Sequence, residues 1–250
     1  MKKLKKPARN AVRISLIIPT LREARNLEIL LPQVCKVLRS SAGSFEVVIV
    51  DDNSGDGTDR VVRRNSRGSP VRLIIRKDET GLSSAVLRGF KEARGEAFIV
   101  MDADLSHPPA LLAEIAGLLK KGYDLVLPSR YMKGGGVEVW PFDRRILSWG
   151  ATLMARFLTP VKDPMSGYFG LKRSVVDGVR LDPVGFKILL EILVRGHYDR
   201  KSIVEIPYIF KNRNIGSSKL DGRVSGEYLK HLWKLYSFAV SSVFKVKGKK

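Results

Sequence analysis

Two acidic clusters, each directly after a short apolar run, contain the residue types of this chain best suited to chemistry. Residues 47–50 run into Asp51 and Asp52, and residues 98–101 run into Asp102-Ala103-Asp104. Such runs indicate buried parallel strands, whose carboxyl ends form the ligand-binding edge of an open α/β sheet. Crowded carboxylates repel one another unless a cation or donors hold them, and Mg²⁺ favours oxygen ligands. The pattern predicts a metal-assisted site for a phosphate-bearing ligand, although each aspartate alone also fits a turn or helix cap.

The triplet has the spacing that suits a metal. Successive strand residues face opposite sides, so Asp102 and Asp104 present both carboxylates to one side, where they can clamp a metal against a diphosphate. Neither a Walker lysine loop nor a dinucleotide glycine fingerprint follows any apolar run. A bound Mg²⁺ or Mn²⁺ is therefore the predicted means of holding the phosphates.

Alternating strands and helices are predicted to position these residues. The predicted strands are 14–18, 47–50, 71–75, 98–101, 125–127, 168–171 and 203–206, and the predicted helices are 24–38, 58–65, 83–93, 109–119, 144–158, 186–194 and 227–243. This alternation indicates βαβ units on a parallel sheet, and right-handed crossovers place every βα loop at one edge. The acidic clusters are therefore expected to meet there.

The composition describes a globular chain with an anionic partner. Among 250 residues, 45 Lys and Arg stand against 25 Asp and Glu, a formal net charge of +20. Nucleic acid, anionic lipid and phosphorylated substrates all fit that charge. The single cysteine, Cys35, excludes an intrachain disulfide and favours an intracellular setting. No apolar run is long enough for a spanning helix, and the basic N-terminus lacks the apolar segment of a signal peptide.

From residue 14 to about residue 235 the chain resembles the family 2 inverting glycosyltransferases, and among them the polyprenol-phosphate (dolichol-phosphate) mannosyltransferases. Eight blocks carry the resemblance, in this order: IIPTLREARNL (17–27), VVIVDDNSGDGT (47–58), GLSSAVLRGF (81–90), MDADLSHPP (101–109), PSRY (128–131), RRILSWGA (144–151), DPMSGYFGLKR (163–173) and RNIGSSKL (213–220). The resemblance implies an α/β fold of GT-A (Rossmann-like) type, a single domain whose mostly parallel central sheet is flanked by helices.

The resemblance also implies domain boundaries. A basic arm at 1–12 precedes a glycosyltransferase domain at 13–228, with a nucleotide half at 13–130 and an acceptor half at 131–228. An amphipathic helix and basic tail at 229–250 complete the chain.

Matching positions assign roles to individual residues. The implied donor-binding residues are Pro19, Glu23, Asp51, Asp52, Asp102, Ala103, Asp104, Arg213 and Lys219. The implied metal ligands are Asp102, Asp104 and Ser106, where Ser106 stands in place of a glutamine common in the family. The implied acceptor-phosphate residues are Arg130, Arg144 and Ser148, and Asp163 and Ser166 are expected to shape the sugar pocket. Asp104, Arg130 and Arg144 are the implied catalytic residues.

The implied reaction moves mannose from GDP-mannose to a polyprenyl (dolichyl) phosphate and gives a β-mannosyl phosphoryl lipid. A phosphate monoester is largely ionised at neutral pH, so no histidine base is needed to activate the acceptor. UDP-glucose or another UDP-sugar remains an alternative donor. A nucleic-acid-binding protein and an inactive binding subunit remain remote alternatives. We expect a peripheral protein on the cytoplasmic face of the membrane, with no specific nucleic acid partner, and leave open a small membrane-anchoring subunit.

Overall fold

The computed structural model describes residues 13–138, 142–183, 185, 187–211 and 222–247. Within these, the side chains of 142–147, 222–225, 227 and 242–247 are not described. The expected N-terminal arm, Arg213 and Lys219 lie outside the described residues.

Nine strands and seven helices make up the described chain. The strands are β1 (Ile14–Thr20), β2 (Phe45–Asp51), β3 (Val71–Ile75), β4 (Ala97–Val100), β5 (Leu125–Ser129), β6 (Gly136–Val137), β7 (Phe169–Lys172), β8 (Ile203–Pro207) and β9 (Ile209–Phe210). The helices are α1 (Ala24–Ser41), α2 (Thr58–Ser66), α3 (Leu82–Glu92), α4 (Leu111–Lys121), α5 (Phe142–Arg156), α6 (Ile188–Arg195) and α7 (Gly222–Lys247). Every predicted element is present, with ends shifted by a few residues.

One seven-stranded sheet organises the fold, in the order β3-β2-β1-β4-β7-β5-β8. All its neighbouring pairs are parallel except those of β7, which runs antiparallel to β4 and β5. The predicted mostly parallel sheet flanked by helices is confirmed. The reversal of β7 was not predicted. It brings the residues that precede β7 to the same edge as the carboxyl ends of β4 and β5, since Val100 pairs with Phe169.

Alternating residues of the central strands form two apolar layers. Leu16 and Ile18 of β1 face a core that includes Leu27 of α1 and Ile115 of α4. Ile17 faces the opposite core, with residues of α3 and α6. Strands buried on both faces read as continuous apolar runs, which is why 14–18 and 47–50 stand out in the sequence.

A third, smaller apolar cluster joins the helices of the second half of the chain. It contains Ala155 of α5, Leu190 of α6, and Leu232 and Leu235 of α7. In the part of the chain that the structure describes, no helix combines the length and apolarity needed to cross a membrane. Leu232 and Leu235 pack one face of α7 onto α5 and α6.

Candidate active site

Three loops after parallel strands converge at one edge of the sheet. Thr20 at the end of β1 pairs with Asp51 at the end of β2, and the loop after β4 starts beside them. Each loop contains a non-glycine residue in the left-handed region: Arg22, Asn53 and Leu105, with φ of 60°, 51° and 64°. Such conformations are costly for most residues and concentrate at functional sites. The predicted meeting of the acidic clusters at one sheet edge is thus reproduced by the backbone.

Asp51 is buried and holds the turn at the end of β2. Its Oδ1 accepts hydrogen bonds from the hydroxyls of Thr20 (3.0 Å) and Ser54 (2.6 Å), and its Oδ2 accepts from the Ser54 amide (2.8 Å). Ser54 Oγ in turn accepts from the Arg22 amide at 2.7 Å. Asp51 therefore ties the first two loops together.

Asp52 has a different partner. Its Oδ1 accepts from Arg76 Nε (2.7 Å) and pairs with Arg76 Nη2, while Oδ2 accepts from the Gly81 amide (2.8 Å). The Arg76 guanidinium also donates to the Gly81 carbonyl and to Ser84 Oγ. The buried pair therefore fixes the loop between β3 and α3 at the same edge of the sheet.

The remaining donor residues predicted from the first block lie along β1 and its loop. Pro19 is a buried residue of β1. Glu23 precedes α1, and its Oε2 accepts from Asn26 Nδ2 at 2.6 Å. Both occupy the edge at which Asp51 lies, and Ala103, almost fully buried, lies between the two aspartates of the triplet.

The aspartate pair after β4 offers oxygen atoms that the protein leaves unsatisfied. Asp102 Oδ1 and Ser106 Oγ are buried without a hydrogen-bond partner. Asp104 is 4% exposed, and its Oδ1 accepts from the Ser106 amide at 3.0 Å. Unsatisfied buried oxygens suit a hard divalent cation, so these residues fit Mg²⁺ or Mn²⁺. The described residues contain no preformed group of three His, Cys, Asp or Glu side chains that could hold such an ion alone.

The turn at residues 163–167 joins this pair to Arg130 at the end of β5. A Cβ placed on Gly167 would lie 2.7 Å from Asp102 Oδ2, so the turn packs directly on that carboxylate. Ser166 lies inside the turn, where its Oγ donates to the Tyr168 carbonyl at 3.1 Å and accepts from the Tyr168 amide at 3.2 Å. Because β7 is antiparallel, this turn reaches the site from the opposite chain direction.

Asp163 opens the turn and clamps Arg130. The guanidinium donates to both carboxylate oxygens, each at 2.7 Å, and the Arg130 amide adds a third bond at 3.0 Å. Burial alone would lower the pKa of Arg130, but the bonds and charge of Asp163 outweigh it and raise that pKa. Arg130 is therefore a permanent cation, held rigidly at the end of β5.

The other predicted acceptor residues are described only in part. Ser148 on α5 lies 3.3 Å from the Tyr131 hydroxyl, beside Arg130. Arg144 belongs to the same helix, but its side chain is not described.

The described chain before Arg213 ends at Lys211, whose amide donates to the Ser106 carbonyl at 3.1 Å. Lys211 thus lies next to the acidic loop.

Two further residues at the site were not predicted from the sequence. His107 contacts Asp102, with the Nε2 atom of His107 3.2 Å from the Oδ2 atom of Asp102. Lys187 directly precedes α6. Its pKa is lowered to about 7, mainly by burial and secondly by the positive charge of Arg130. The charges of Asp163 and Asp102 act in the opposite direction. The one available signal for Lys187 was a lone lysine at the start of the apolar run ILLEILV. His107 had a signal in its position shortly after the aspartate pair.

A mostly parallel α/β sheet with an aspartate pair at its carboxyl edge and a clamped arginine beside it defines a GT-A type nucleotide-sugar transferase. Comparison with known proteins agrees. The family described as "Glycosyl transferase family 2" matches residues 15–180, and the chain belongs to this family.

Curated relatives match nearly the whole chain. A dolichol-phosphate mannosyltransferase from Pyrococcus furiosus is 46% identical over 228 residues, which are 90% of this chain and 64% of that protein. The chain therefore spans less than two thirds of that relative's length. A dolichol-phosphate mannosyltransferase from Mycosarcoma maydis is 42% identical over 92% of this chain and 81% of that protein.

Solved structures share the fold. Glucosyl-3-phosphoglycerate synthase from Mycobacterium tuberculosis, in complex with Mg²⁺ and uridine diphosphate, superposes with a TM-score of 0.68. It is 19% identical, over 90% of this chain and 79% of that chain. A divalent metal and a nucleoside diphosphate are thus bound by another protein of this fold.

Proposed function

We propose that this chain transfers mannose from GDP-mannose to a polyprenyl phosphate, with inversion at the anomeric carbon. The observation that carries the proposal is the single turn at 163–167, which packs on Asp102 at one end and clamps Arg130 at the other. A donor diphosphate site and an acceptor phosphate site are therefore adjacent. The names of the Pyrococcus and Mycosarcoma relatives support mannose and dolichyl phosphate as the substrates.

The mechanism is governed by charge, because donor and acceptor are both anions. Asp102, Asp104 and Ser106 would hold a Mg²⁺ or Mn²⁺ ion. When bound, the ion would neutralise the negative charge of the leaving diphosphate. Arg130, fixed by Asp163, presents a permanent positive charge for the acceptor phosphate. The acceptor oxygen is already ionised, so it attacks without a protein base and the sugar–phosphate bond breaks on the opposite face. The product is a β-mannosyl phosphoryl lipid.

The remaining phosphate contacts belong to Ser148 and to three residues whose side chains the structure does not describe. We assign Arg144, with Ser148, to the acceptor phosphate, and Arg213 and Lys219 to the donor diphosphate. The Lys211–Ser106 backbone bond supports the second assignment, since Lys211 lies beside the acidic loop and Arg213 is two residues further along the sequence.

Exposed aromatic residues support peripheral attachment to a membrane that contains the lipid acceptor. Trp149 and Phe157, from α5 and the turn after it, are 60% and 79% exposed, and Trp233 of α7 is 77% exposed. Trp149 follows Ser148 directly, so this apolar surface borders the proposed acceptor site. Aromatic side chains beside basic residues favour an interface with anionic lipid head groups. We propose the cytoplasmic face, with a small anchoring subunit as an optional partner.

The test is sugar transfer to a short polyprenyl phosphate in detergent, with Mn²⁺ or Mg²⁺ and with GDP-mannose, UDP-glucose or UDP-N-acetylglucosamine as donor. We expect mannosyl lipid from GDP-mannose alone. Asp104→Asn should lower the rate on the order of 100-fold. The matched control is Asp59→Asn, which makes the same substitution at an aspartate of α2 that is 50% exposed. The transfer rate of this control variant should not change.

Two results would count against the proposal. Transfer from a UDP-sugar but not from GDP-mannose would keep the reaction class and replace the donor. Nucleotide binding without transfer from any donor would mean that the chain needs a membrane partner or is an inactive binding subunit.

A further inference from the structure

His107 is buried under the acidic pair, and the mechanism above gives it no role. It is 1% exposed, and its Nε2 lies 3.2 Å from Asp102 Oδ2. Three aromatic rings surround the imidazole, with centroid distances of 5.0 Å to Tyr168, 5.9 Å to Tyr208 and 5.5 Å to Phe210. The ring therefore has a fixed orientation toward Asp102.

The hydrogen-bonding capacity of the two partners determines the tautomer. An ionised carboxylate only accepts hydrogen bonds, so the proton must lie on Nε2 of His107. Its Nδ1 is buried without a hydrogen-bond partner, and a proton there would be a buried donor with nothing to bind. The geometry thus selects donation from Nε2 of His107 to Asp102.

Only one of the two carboxylate oxygens of Asp102 has a hydrogen-bond partner. Oδ2 lies between His107 Nε2 and Gly167. A Cβ atom added to Gly167 would lie only 2.7 Å from this oxygen. Oδ1 of the same carboxylate is buried and has no hydrogen-bond partner. A carboxylate fixed through one oxygen points the other in a defined direction.

We propose that His107 is a positioning residue, whose Nε2–H fixes the Asp102 carboxylate so that Oδ1 faces a divalent cation bound with the donor diphosphate. This inference rests on the proposed function, because it assumes that the acidic pair binds the metal. Hydrogen bonds to metal-binding side chains orient the ligand, and their removal typically weakens metal binding about 10–100-fold. The remaining possibility is that His107 only fills space among the aromatic rings.

Two substitutions separate these roles. His107→Phe keeps an aromatic ring and removes the donor. His107→Gln places an amide nitrogen near the position of Nε2 and restores the donor. The control is His197→Gln, since His197 is exposed and remote from the acidic pair. The primary measurement is the affinity for Mn²⁺ in the presence of GDP or UDP, read from the electron paramagnetic resonance signal of free Mn²⁺, with thermal unfolding of each variant alongside.

We expect His107→Phe to bind Mn²⁺ about 10–100-fold more weakly than the unsubstituted protein, and His107→Gln to stay within a few-fold of it. KM for the sugar nucleotide should rise in the phenylalanine variant in parallel. His197→Gln should match the unsubstituted protein.

Wild-type affinity in the folded phenylalanine variant would overturn the proposal. Equal losses of Mn²⁺ affinity and thermal stability in the phenylalanine and glutamine variants would assign His107 to packing alone, which also overturns it. So would an unsubstituted protein that binds no Mn²⁺ with either nucleotide. Mn²⁺ binding that depends on His107 without any mannosyl transfer would sustain this inference while the proposed function failed.

Discussion

Asp102 and Asp104 lie two residues apart, yet the fold holds them differently. Asp104 is almost fully buried, and the amide of Ser106 bonds to its Oδ1. The side chain of Asp102 is 26% exposed and packs against Gly167. The position of Asp102 therefore depends on the space that residue 167 leaves.

Gly167→Ala tests that dependence. A Cβ at this position would lie 2.7 Å from Asp102 Oδ2, closer than packed atoms tolerate, so the carboxylate must move. We expect mannosyl transfer to fall at least about tenfold, as for other losses of ligand orientation. The control is Gly117→Ala on α4, where no atom lies within 4 Å of the added methyl group. There the rate should not change, and the helix should gain about 0.5–1 kcal/mol. Unchanged transfer by Gly167→Ala would show that Asp102 tolerates displacement.

Arg22 has a conformation that its side chain disfavours. Its φ of 60° is left-handed, a region that asparagine adopts far more readily than arginine does. We expect Arg22→Asn to raise the free energy of unfolding by about 0.5–1 kcal/mol, measured by urea denaturation. Arg25→Asn is the contrast, because Arg25 lies within α1 and asparagine is the poorer helix former. Destabilisation by both substitutions would mean that the Arg22 side chain makes stabilising contacts which outweigh the strain.

The sequence predicts some residues of the site and not others. Asp102 and Asp104 follow an apolar run at a fixed spacing, so local pattern is sufficient to locate them. Lys187 and His107 come next to the site only when α6 and the β4 loop pack there. Their local signals, a lysine before an apolar run and a histidine shortly after the aspartate pair, do not predict that packing. The Arg130–Asp163 clamp joins residues 33 positions apart, which spacing alone does not predict.

At the scale of elements, the direction of β7 was the main feature that sequence reasoning lacked. Buried strands have apolar residues on both faces whichever way they run, so composition carries no sign of direction. Residues 168–171 were predicted as a strand, and the antiparallel pairing with β4 became visible only in the structure. The two-residue strands β6 and β9 were missed, because two residues show no periodicity.

A buried side-chain contact between Glu191 and His231 attaches α7 to α6. Glu191 and His231 are fully buried, with Glu191 Oε2 2.7 Å from His231 Nε2, and Arg195 Nε lies 2.7 Å from the other carboxylate oxygen. Burial alone would raise the pKa of Glu191, but the bonds from His231 and from the Asp182 amide, with the charge of Arg195, lower it below its ordinary 4.5. A depressed pKa stabilises the fold above that ordinary value, and the contribution is lost as pH falls through the native pKa.

Glu191→Gln removes this contribution. We expect a loss of about 3 kcal/mol in the free energy of unfolding at neutral pH, as for breaking one side of a buried ion pair. The difference from the unsubstituted protein should shrink as pH falls from 4.5 through the lower native pKa of Glu191, because below that native pKa Glu191 is protonated in both the folded and the unfolded states. Denaturant titrations at a series of pH values measure both effects. Glu28→Gln, at a half-exposed glutamate of α1 that pairs with Arg64 at 3.7 Å, should cost less than about 1 kcal/mol. A pH-independent difference for Glu191→Gln would contradict this assignment.

At the scale of the whole molecule, net charge and exposed aromatics lead to the same expectation. The chain carries a formal net charge of +20. It also exposes Trp149, Phe157 and Trp233 on α5, the turn after it and α7, and α5 and α7 pack together. Charge would draw the protein to anionic vesicles from a distance, and aromatic side chains would then enter the interface. These two contributions respond to different changes, so they can be measured separately.

We expect the protein to bind anionic vesicles and to bind zwitterionic ones much more weakly, as measured by co-sedimentation. Raising the ionic strength from about 0.1 M to 1 M shortens the screening length from about 10 Å to 3 Å and should release most of the bound protein. Trp233→Ala should weaken partitioning by at least about tenfold at constant salt, because burying even about 60 Å² of the indole in the interface is worth about 1.4 kcal/mol. Ile75→Ala is the control, since Ile75 is an exposed apolar residue at the end of the edge strand β3, far along the sheet from the acceptor half. Equal partitioning of the Trp233 variant and the unsubstituted protein would mean that α7 does not contact the lipid, and that charge alone attaches the protein to the vesicle.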